Sequence, residues 1–135
     1  MTHSPPTILL VEDDPINARV FEKVLTKRGS FEVHQSQDVE EILKLVAAGS
    51  IDVVLLDVSL SQSTYKGESV DGIRIAQLLK MEPLAAQVPI ILVTAHAMQG
   101  DRETFLAQSQ ANDYIAKPVV DHQGMVDKVR SLLPE

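Results

Sequence analysis

The sequence predicts a single α/β domain built as a three-layer sandwich, in which helices cover both faces of a parallel sheet. Three continuous apolar runs, at residues 8–11, 53–56 and 90–93, have the composition of strands that are buried on both faces. The segments between and after these runs carry apolar residues at helical spacing. Because strands and helices alternate, right-handed crossovers would place the strands side by side in one sheet.

Five helical segments are predicted, and several of their ends carry residues that favour helix boundaries. Pro15 suits the first turn of the first helix, and Asp38 and Asp71 are N-cap candidates for the second and third. Gly29 and Gly49 lie just beyond the ends of the first two helices, where glycine is favoured. The apolar residues at helical spacing are Ile16, Val20 and Val24 with Phe21 and Leu25; Val39, Ile42, Leu43 and Val46; Ile75, Ala76 and Leu79; Met98, Phe105 and Leu106; and Val126, Val129 and Leu133.

Two weaker strands complete the alternation. Residues 31–35 and 112–116 mix apolar and polar side chains, and each segment lies between two predicted helices. The prediction is therefore five strands and five helices, and a chain of 135 residues is long enough to bury one hydrophobic core.

Composition limits the classes of partner. A net charge of -7 and a pI near 5.0 argue against nucleic acid and against anionic membrane surfaces, since both would be repelled. The chain has no cysteine, which excludes disulfides and thiolate metal sites. No apolar run approaches the length of a membrane span, and the first residues lack the pattern of a signal peptide. We therefore expect a cytoplasmic protein.

Polar residues follow the carboxyl ends of the predicted strands, where open parallel sheets bind ligands. Glu12 and Asp13 follow the first strand, Asp57 ends the third, Thr94 ends the fourth and Lys117 follows the fifth. Each residue alone has an ordinary explanation as a turn, a cap or a surface group. As a group they need a further explanation, because three carboxylates brought within several ångströms repel one another strongly. A positive group is therefore expected among them.

The residue types favour a magnesium site with a phosphate acceptor. Oxygen ligands without His or Cys suit a hard cation, and a small set of carboxylates that shares a phosphate oxygen suits Mg²⁺ better than Ca²⁺. A carboxylate beside Mg²⁺ can act as a nucleophile and form an aspartyl phosphate. Lys117 could neutralise the phosphoryl charge, and the Thr94 hydroxyl could donate a hydrogen bond to it.

Four motifs in this order and spacing, ILLVEDDP, VVLLD, ILVTAHAMQGDRE and DYIAKP, resemble the receiver domain of bacterial two-component response regulators. The resemblance covers essentially the whole chain and is closest to stand-alone receivers of the chemotaxis-regulator type. It implies a flavodoxin-like sheet with strand order 2-1-3-4-5. We expect a tail at residues 1–6 and a receiver domain at residues 7–135, and no output domain follows the fifth helix before the sequence ends at Glu135.

The resemblance also implies a role for each matching residue. Asp57 matches the phosphoacceptor, and Thr94 and Lys117 match the hydroxyl and the ammonium that engage the phosphoryl group. The expected Mg²⁺ ligands are Glu12, Asp13, Asp57 and the backbone carbonyl of Ser59. Two further matches are Tyr114, at the aromatic switch position that acts with Thr94, and Pro118, which follows a peptide bond that is usually cis.

As a receiver, the chain would be a signalling protein and not an enzyme in the usual sense, although it would take part in its own phosphorylation and dephosphorylation. The expected phosphodonor is a phosphohistidine of a histidine kinase or of a phosphotransfer domain. The expected output is a change at the surface of the fourth helix, fifth strand and fifth helix, read by a downstream protein.

The chain departs from the family pattern in two places. The connection from Asp57 to Gly72 is longer than usual, and the extra residues, about 61–70, have the polar composition of a surface loop. This insertion could screen Asp57 or contact a partner, or it could simply be tolerated, since lengthening a loop changes its closure entropy little. In addition, Gln108, Ser109 and Gln110 replace the glycine expected after the fourth helix, so this helix end should be irregular.

Three other functions are alternatives to a phosphorylated receiver. A receiver-shaped adaptor could act without phosphorylation, and the inserted loop keeps that alternative open. An aspartyl phosphatase would need Asp-x-Asp after the first strand, where this chain has Glu12, Asp13 and Asp14. A flavin or nucleotide binder would need a first loop rich in Gly, Ser and Thr, and an acidic loop would repel phosphate.

Overall fold

The computed structural model describes residues 5–60, 63–95, 99–117 and 120–133, with the backbone alone at residues 99–101. These residues form five helices and seven strands, and strands and helices alternate except in the insertion, which adds two short strands. The elements are β1 (Thr7–Val11), α1 (Pro15–Lys27), β2 (Glu32–Gln35), α2 (Val39–Ala47), β3 (Val53–Asp57), β4 (Thr64–Tyr65), β5 (Glu68–Ser69), α3 (Gly72–Met81), β6 (Ile90–Thr94), α4 (Gln99–Ser109), β7 (Asp113–Ala116) and α5 (His122–Ser131).

The main sheet is parallel and has the order β2-β1-β3-β6-β7. Numbered among these five strands alone, this is the predicted order 2-1-3-4-5. β4 and β5 form a separate antiparallel pair inside the insertion, which the sequence analysis predicted only as a loop. No helix in the described ranges has both the length and the apolar content that crossing a membrane requires.

Alternate side chains of the central strands pack on opposite faces of the sheet, as the period of a strand requires. Leu9, Val54 and Leu56 pack with residues of α2 and α3 in one core. Leu10 and Leu55 pack with residues of α1 and α5 in the other. Every residue of β3 and β6 is buried, which explains why their sequences are continuous apolar runs that reach the site residues at their ends.

Four helices begin at an aspartate whose side chain accepts a backbone hydrogen bond from the first turn. The caps are Asp14, Asp38, Asp71 and Asp121, which accept from the N–H groups of Ile16, Glu40, Arg74 and Gly124 at 2.8–3.1 Å. A capping aspartate stabilises a helix by about 1 kcal/mol. Because α1, α2 and α5 follow strands of the parallel sheet, and α3 follows β3 through the insertion, these caps lie at the carboxyl edge of the sheet.

The insertion forms a short hairpin. Thr64 pairs with Ser69 and Tyr65 with Glu68, and the two turn residues, Lys66 and Gly67, have φ angles of 52° and 84°. Positive φ at both central residues is the signature of a type I′ turn, whose twist matches that of the flanking strands.

The end of α4 confirms the irregularity expected from the missing glycine. Gln110 has a φ of 60°, a left-handed conformation that glycine adopts without strain. Its N–H still donates to the Leu106 carbonyl at 2.8 Å. The last hydrogen bond of the helix therefore forms, although Gln110 has a strained backbone conformation.

We expect Gln110→Gly to stabilise the protein by about 0.5–1 kcal/mol, because glycine removes the left-handed strain. Chemical denaturation with urea would measure the change. The matched control is Gln108→Gly, which places the same residue inside α4 and should destabilise by about 1 kcal/mol. Equal effects of the two substitutions would contradict this explanation of the helix end.

Candidate functional site

Three carboxylates meet at the carboxyl edge of the sheet, in the place predicted. Glu12 and Asp13 follow β1, and Asp57 is the last residue of the adjacent strand β3. One carboxylate oxygen from each residue lies within 4.8 Å of the other two. Glu12 is 4% exposed and Asp57 is 3% exposed, so two of the three negative groups are largely shielded from water.

Lys117 supplies the positive group that the cluster requires. Its Nζ lies 2.6 Å from Glu12 Oε1 and 3.2 Å from Asp57 Oδ2. The Lys117 N–H donates to the Thr94 carbonyl at 2.8 Å, which fixes the lysine just beyond the β6–β7 pairing. The ammonium therefore bridges the two buried carboxylates.

The electrostatics of the cluster follow from burial and crowding. Desolvation and the proximity of Asp57 raise the pKa of Glu12 to about 7, although the ammonium of Lys117 opposes this shift. Burial lowers the pKa of Lys117, but hydrogen bonding and charge interactions with Glu12 and Asp57 outweigh it, so the net shift is upward. Lys117 thus stays charged, while Glu12 titrates near neutral pH.

Thr94 and Ser59 also lie at this edge. Thr94 is buried as the last residue of β6 and pairs in register with Ala116, next to Lys117. Ser59 lies two residues beyond Asp57, and its N–H donates to Asp57 Oδ1 at 3.1 Å, which orients the Asp57 carboxylate. The roles of the Thr94 hydroxyl and of the Ser59 carbonyl remain predictions.

Gly72 is a structural requirement of the site that the sequence analysis did not identify. A Cβ atom at Gly72 would overlap the carbonyl oxygen of Asp57 and lie 2.9 Å from the Val58 Cα. The Gly72 N–H donates to the Val58 carbonyl at 3.0 Å, so the first turn of α3 lies directly against the backbone of Asp57. A glycine at the start of a helix was a signal of such close approach.

Tyr114 lies apart from the carboxylates, on the side of the sheet edge formed by β7. It is half-buried, and its hydroxyl accepts a hydrogen bond from Arg102 Nη1. The Arg102 guanidinium also lies 4.8 Å from the ring centroid, and Lys128 Nζ lies 5.7 Å from it. The sequence analysis missed Arg102, because an arginine in α4 gives no signal of its contact. Pro118, the predicted site of a cis peptide, is outside the described residues.

The donor set fits Mg²⁺. The three grouped residues offer only oxygen ligands, which hard cations prefer. Glu12 Oε1 is buried, and the ammonium of Lys117, 2.6 Å away, is shared between this oxygen and Asp57. A divalent cation would supply more positive charge to this oxygen-rich cluster than the single ammonium does.

The family of the chain follows from a sequence comparison. The family profile described as "Response regulator receiver domain" matches residues 8–130. The chain belongs to this family. Receiver domains are parts of two-component signalling systems and are generally not enzymes in the usual sense, and phosphorylation and Mg²⁺ binding are typical of them.

Individual relatives agree with this assignment to the receiver family. The polar-differentiation response regulator DivK of Brucella anthropi is 30% identical over 115 residues, which are 85% of this chain and 86% of DivK. Response regulator PleD of Caulobacter vibrioides is 34% identical over 125 residues, which are 93% of this chain but only 25% of PleD. The chain therefore spans about a quarter of PleD.

A solved receiver structure has the same fold. The receiver domain of sensor histidine kinase PA1611 from Pseudomonas aeruginosa PAO1 is 30% identical, with a TM-score of 0.78 over 96% of this chain and 98% of that domain. That structure was solved with a magnesium ion coordinated in its active site cleft. The likeness confirms the predicted receiver fold.

We expect Gly72→Ala to destabilise the protein by about 2–3 kcal/mol, because the added methyl group must displace backbone at Asp57 and Val58. Urea denaturation would measure the loss. Gly124→Ala is the matched control, since its Cβ meets only the side chain of Asp121, which can rotate away with the loss of the α5 cap, a cost of about 1 kcal/mol. A loss at Gly72 no larger than that at Gly124 would contradict the close approach.

The raised pKa of Glu12 predicts a pH dependence of stability. Between pH 4.5 and about 7 the folded protein binds more protons at Glu12 than the unfolded chain does, so the stability that this group contributes is complete at low pH and is lost as the pH rises through about 7. Mg²⁺ requires the ionised form, so MgCl₂ should raise the thermal midpoint more at pH 8 than at pH 6.

Circular dichroism at both pH values, with and without MgCl₂, measures this difference. Glu12→Gln is the control, because an amide cannot titrate and should remove the dependence on pH. A magnesium effect that is equal at pH 6 and pH 8 in the wild type would show that Glu12 does not control binding.

Proposed function

We propose that this receiver accepts a phosphoryl group on Asp57 from a phosphohistidine of a histidine kinase or of a phosphotransfer domain. The observation that carries the proposal is the bridge from Lys117 to both Glu12 and Asp57, which gathers a nucleophile, a cation and metal-type ligands at one edge. The Mg²⁺ ligands would be Glu12, Asp13, Asp57 and the backbone carbonyl of Ser59. Bound Mg²⁺ would neutralise charge on the phosphoryl oxygens.

The proposed transfer is a single displacement at phosphorus. A carboxylate oxygen of Asp57 forms the new P–O bond while the P–N bond to the imidazole breaks, and the imidazole nitrogen keeps the electron pair and then takes a proton. The N–H of Ser59 orients the acceptor carboxylate. Lys117 pairs with a phosphoryl oxygen, and the Thr94 hydroxyl donates to another. Hydrolysis of the acyl phosphate then resets the site.

The proposed output involves Thr94 and Tyr114. Movement of the Thr94 hydroxyl toward the phosphoryl group would let the Tyr114 ring move inward and change the surface formed by α4, β7 and α5. A cavity of about 310 Å³ on this surface supports the proposal, and it is lined by Arg102, Tyr114, Ala116, Val120, Met125 and Lys128, among others. A downstream protein would bind there.

We expect acetyl phosphate with MgCl₂ to add one phosphoryl group to the wild type, observed by intact-protein mass spectrometry. Asp57→Asn should abolish the adduct, because an amide is not nucleophilic. Asp52→Asn is the matched control, since Asp52 lies at the opposite end of β3 and its side chain accepts from the Thr7 N–H at 2.7 Å. A wild type that gains no phosphoryl group would favour the phosphorylation-independent adaptor.

A further inference from the structure

Two buried polar residues among those the structure describes have no part in the proposed reaction. Among the described residues, the buried polar or charged side chains are Glu12, Asp57, Ser63, Thr94 and Ser109. Three of them form the site, and Ser109 hydrogen-bonds within the end of α4. Ser63, which is 3% exposed, lies at the base of the inserted hairpin.

Ser63 joins the hairpin to a distant part of the chain. Its hydroxyl donates to the Gln37 carbonyl at 3.0 Å, in the connection between β2 and α2. Its own carbonyl accepts from the Val70 N–H at 3.0 Å, which closes the base of the hairpin. Ser63 therefore links both strands of the insertion to the β2–α2 connection, while Tyr65 and Val70 pack against the core beside it.

The second strand of the hairpin leads directly to the phosphoacceptor. Val70 is followed by Asp71, which caps α3, and by Gly72, whose N–H donates to the Val58 carbonyl. Gly72 also lies against the carbonyl of Asp57 without room for a side chain. Hydrogen bonds and close packing thus connect Gln37, Ser63, Val70 and Gly72 to the backbone of Asp57.

We propose that Ser63 is a positioning residue for the phosphoacceptor: its hydroxyl anchors the hairpin so that residues 70–72 hold the Asp57 backbone in place. This inference rests on the proposed function, because its consequence is tighter Mg²⁺ binding at the carboxylates. Removal of the Ser63 hydroxyl leaves the Gln37 carbonyl without this donor. The base of the hairpin is then held less firmly. Substitution of residues that hydrogen-bond to metal ligands commonly weakens metal binding by about 10–100-fold. Ser63 lies further from the carboxylates than such residues do, so we expect a smaller effect.

The first test compares Mg²⁺ affinity, measured by isothermal titration calorimetry below the unfolding range of every variant. Ser63→Ala should weaken Mg²⁺ binding by about threefold to tenfold, a smaller loss than for residues that hydrogen-bond to metal ligands. Ser63→Thr keeps the hydroxyl and should restore most of the affinity. Ser69→Ala is the matched control, because Ser69 lies in the same hairpin with an exposed side chain.

The second test needs no metal. Amide hydrogen exchange should become faster at Gly72 in Ser63→Ala, while Leu55, in the middle of β3, keeps its protection relative to the global stability of the variant. A purely structural role would lower protection at both amides to the extent that global stability falls. If Ser63→Ala does not fold, Ser63→Cys keeps the volume with a weaker donor and should give the same direction of change.

The outcomes separate this inference from the proposed function. A wild type that binds no Mg²⁺ overturns both. A wild type that binds Mg²⁺ while the folded Ser63→Ala or Ser63→Cys variant binds equally well, with unchanged exchange at Gly72, overturns the role of Ser63 and leaves the proposed function standing.

Discussion

The bridge from Lys117 to the buried carboxylates of Glu12 and Asp57 is the interaction on which the site depends. Two shielded negative charges are tolerated only when a cation compensates them, since burial of an unpaired charge is strongly unfavourable. One ammonium shared by two buried carboxylates, with Asp13 nearby, leaves the cluster short of positive charge. Burial and the proximity of Asp57 accordingly raise the pKa of Glu12, because protonation removes one of the negative charges.

The fold gathers these charges because its strands are parallel. β1, β3 and β6 are adjacent and end at the same edge, so residues far apart in the sequence become neighbours there. Four helices begin at this edge, and their capping aspartates accept hydrogen bonds from backbone N–H groups. The caps at Asp14, Asp38, Asp71 and Asp121 are therefore satisfied locally, whereas the buried charges of Glu12 and Asp57 also need the ammonium of Lys117.

The strands and site residues that the sequence predicted are those that depend on a local pattern of residues. Continuous apolar runs identified β1, β3 and β6, because burial on both faces leaves no polar position, and the polar residue after each run marked the site. The hairpin was missed because Thr64, Tyr65, Glu68 and Ser69 show no apolar alternation and its turn uses Lys66 at positive φ. Contacts between distant residues, such as Ser63 with Gln37 and Arg102 with Tyr114, leave no local pattern to detect.

The base and the tip of the hairpin differ in how they are held. Its base, at Ser63 and Val70, is tied to the body of the domain, whereas its tip at Lys66 and Gly67 is exposed and needs only backbone angles that many short turns supply. The tip is consequently a point where a peptide epitope or a fluorophore can be attached while the anchored base stays intact. The exposed surface of the insertion can in this way change in sequence without altering the carboxylate cluster at the sheet edge.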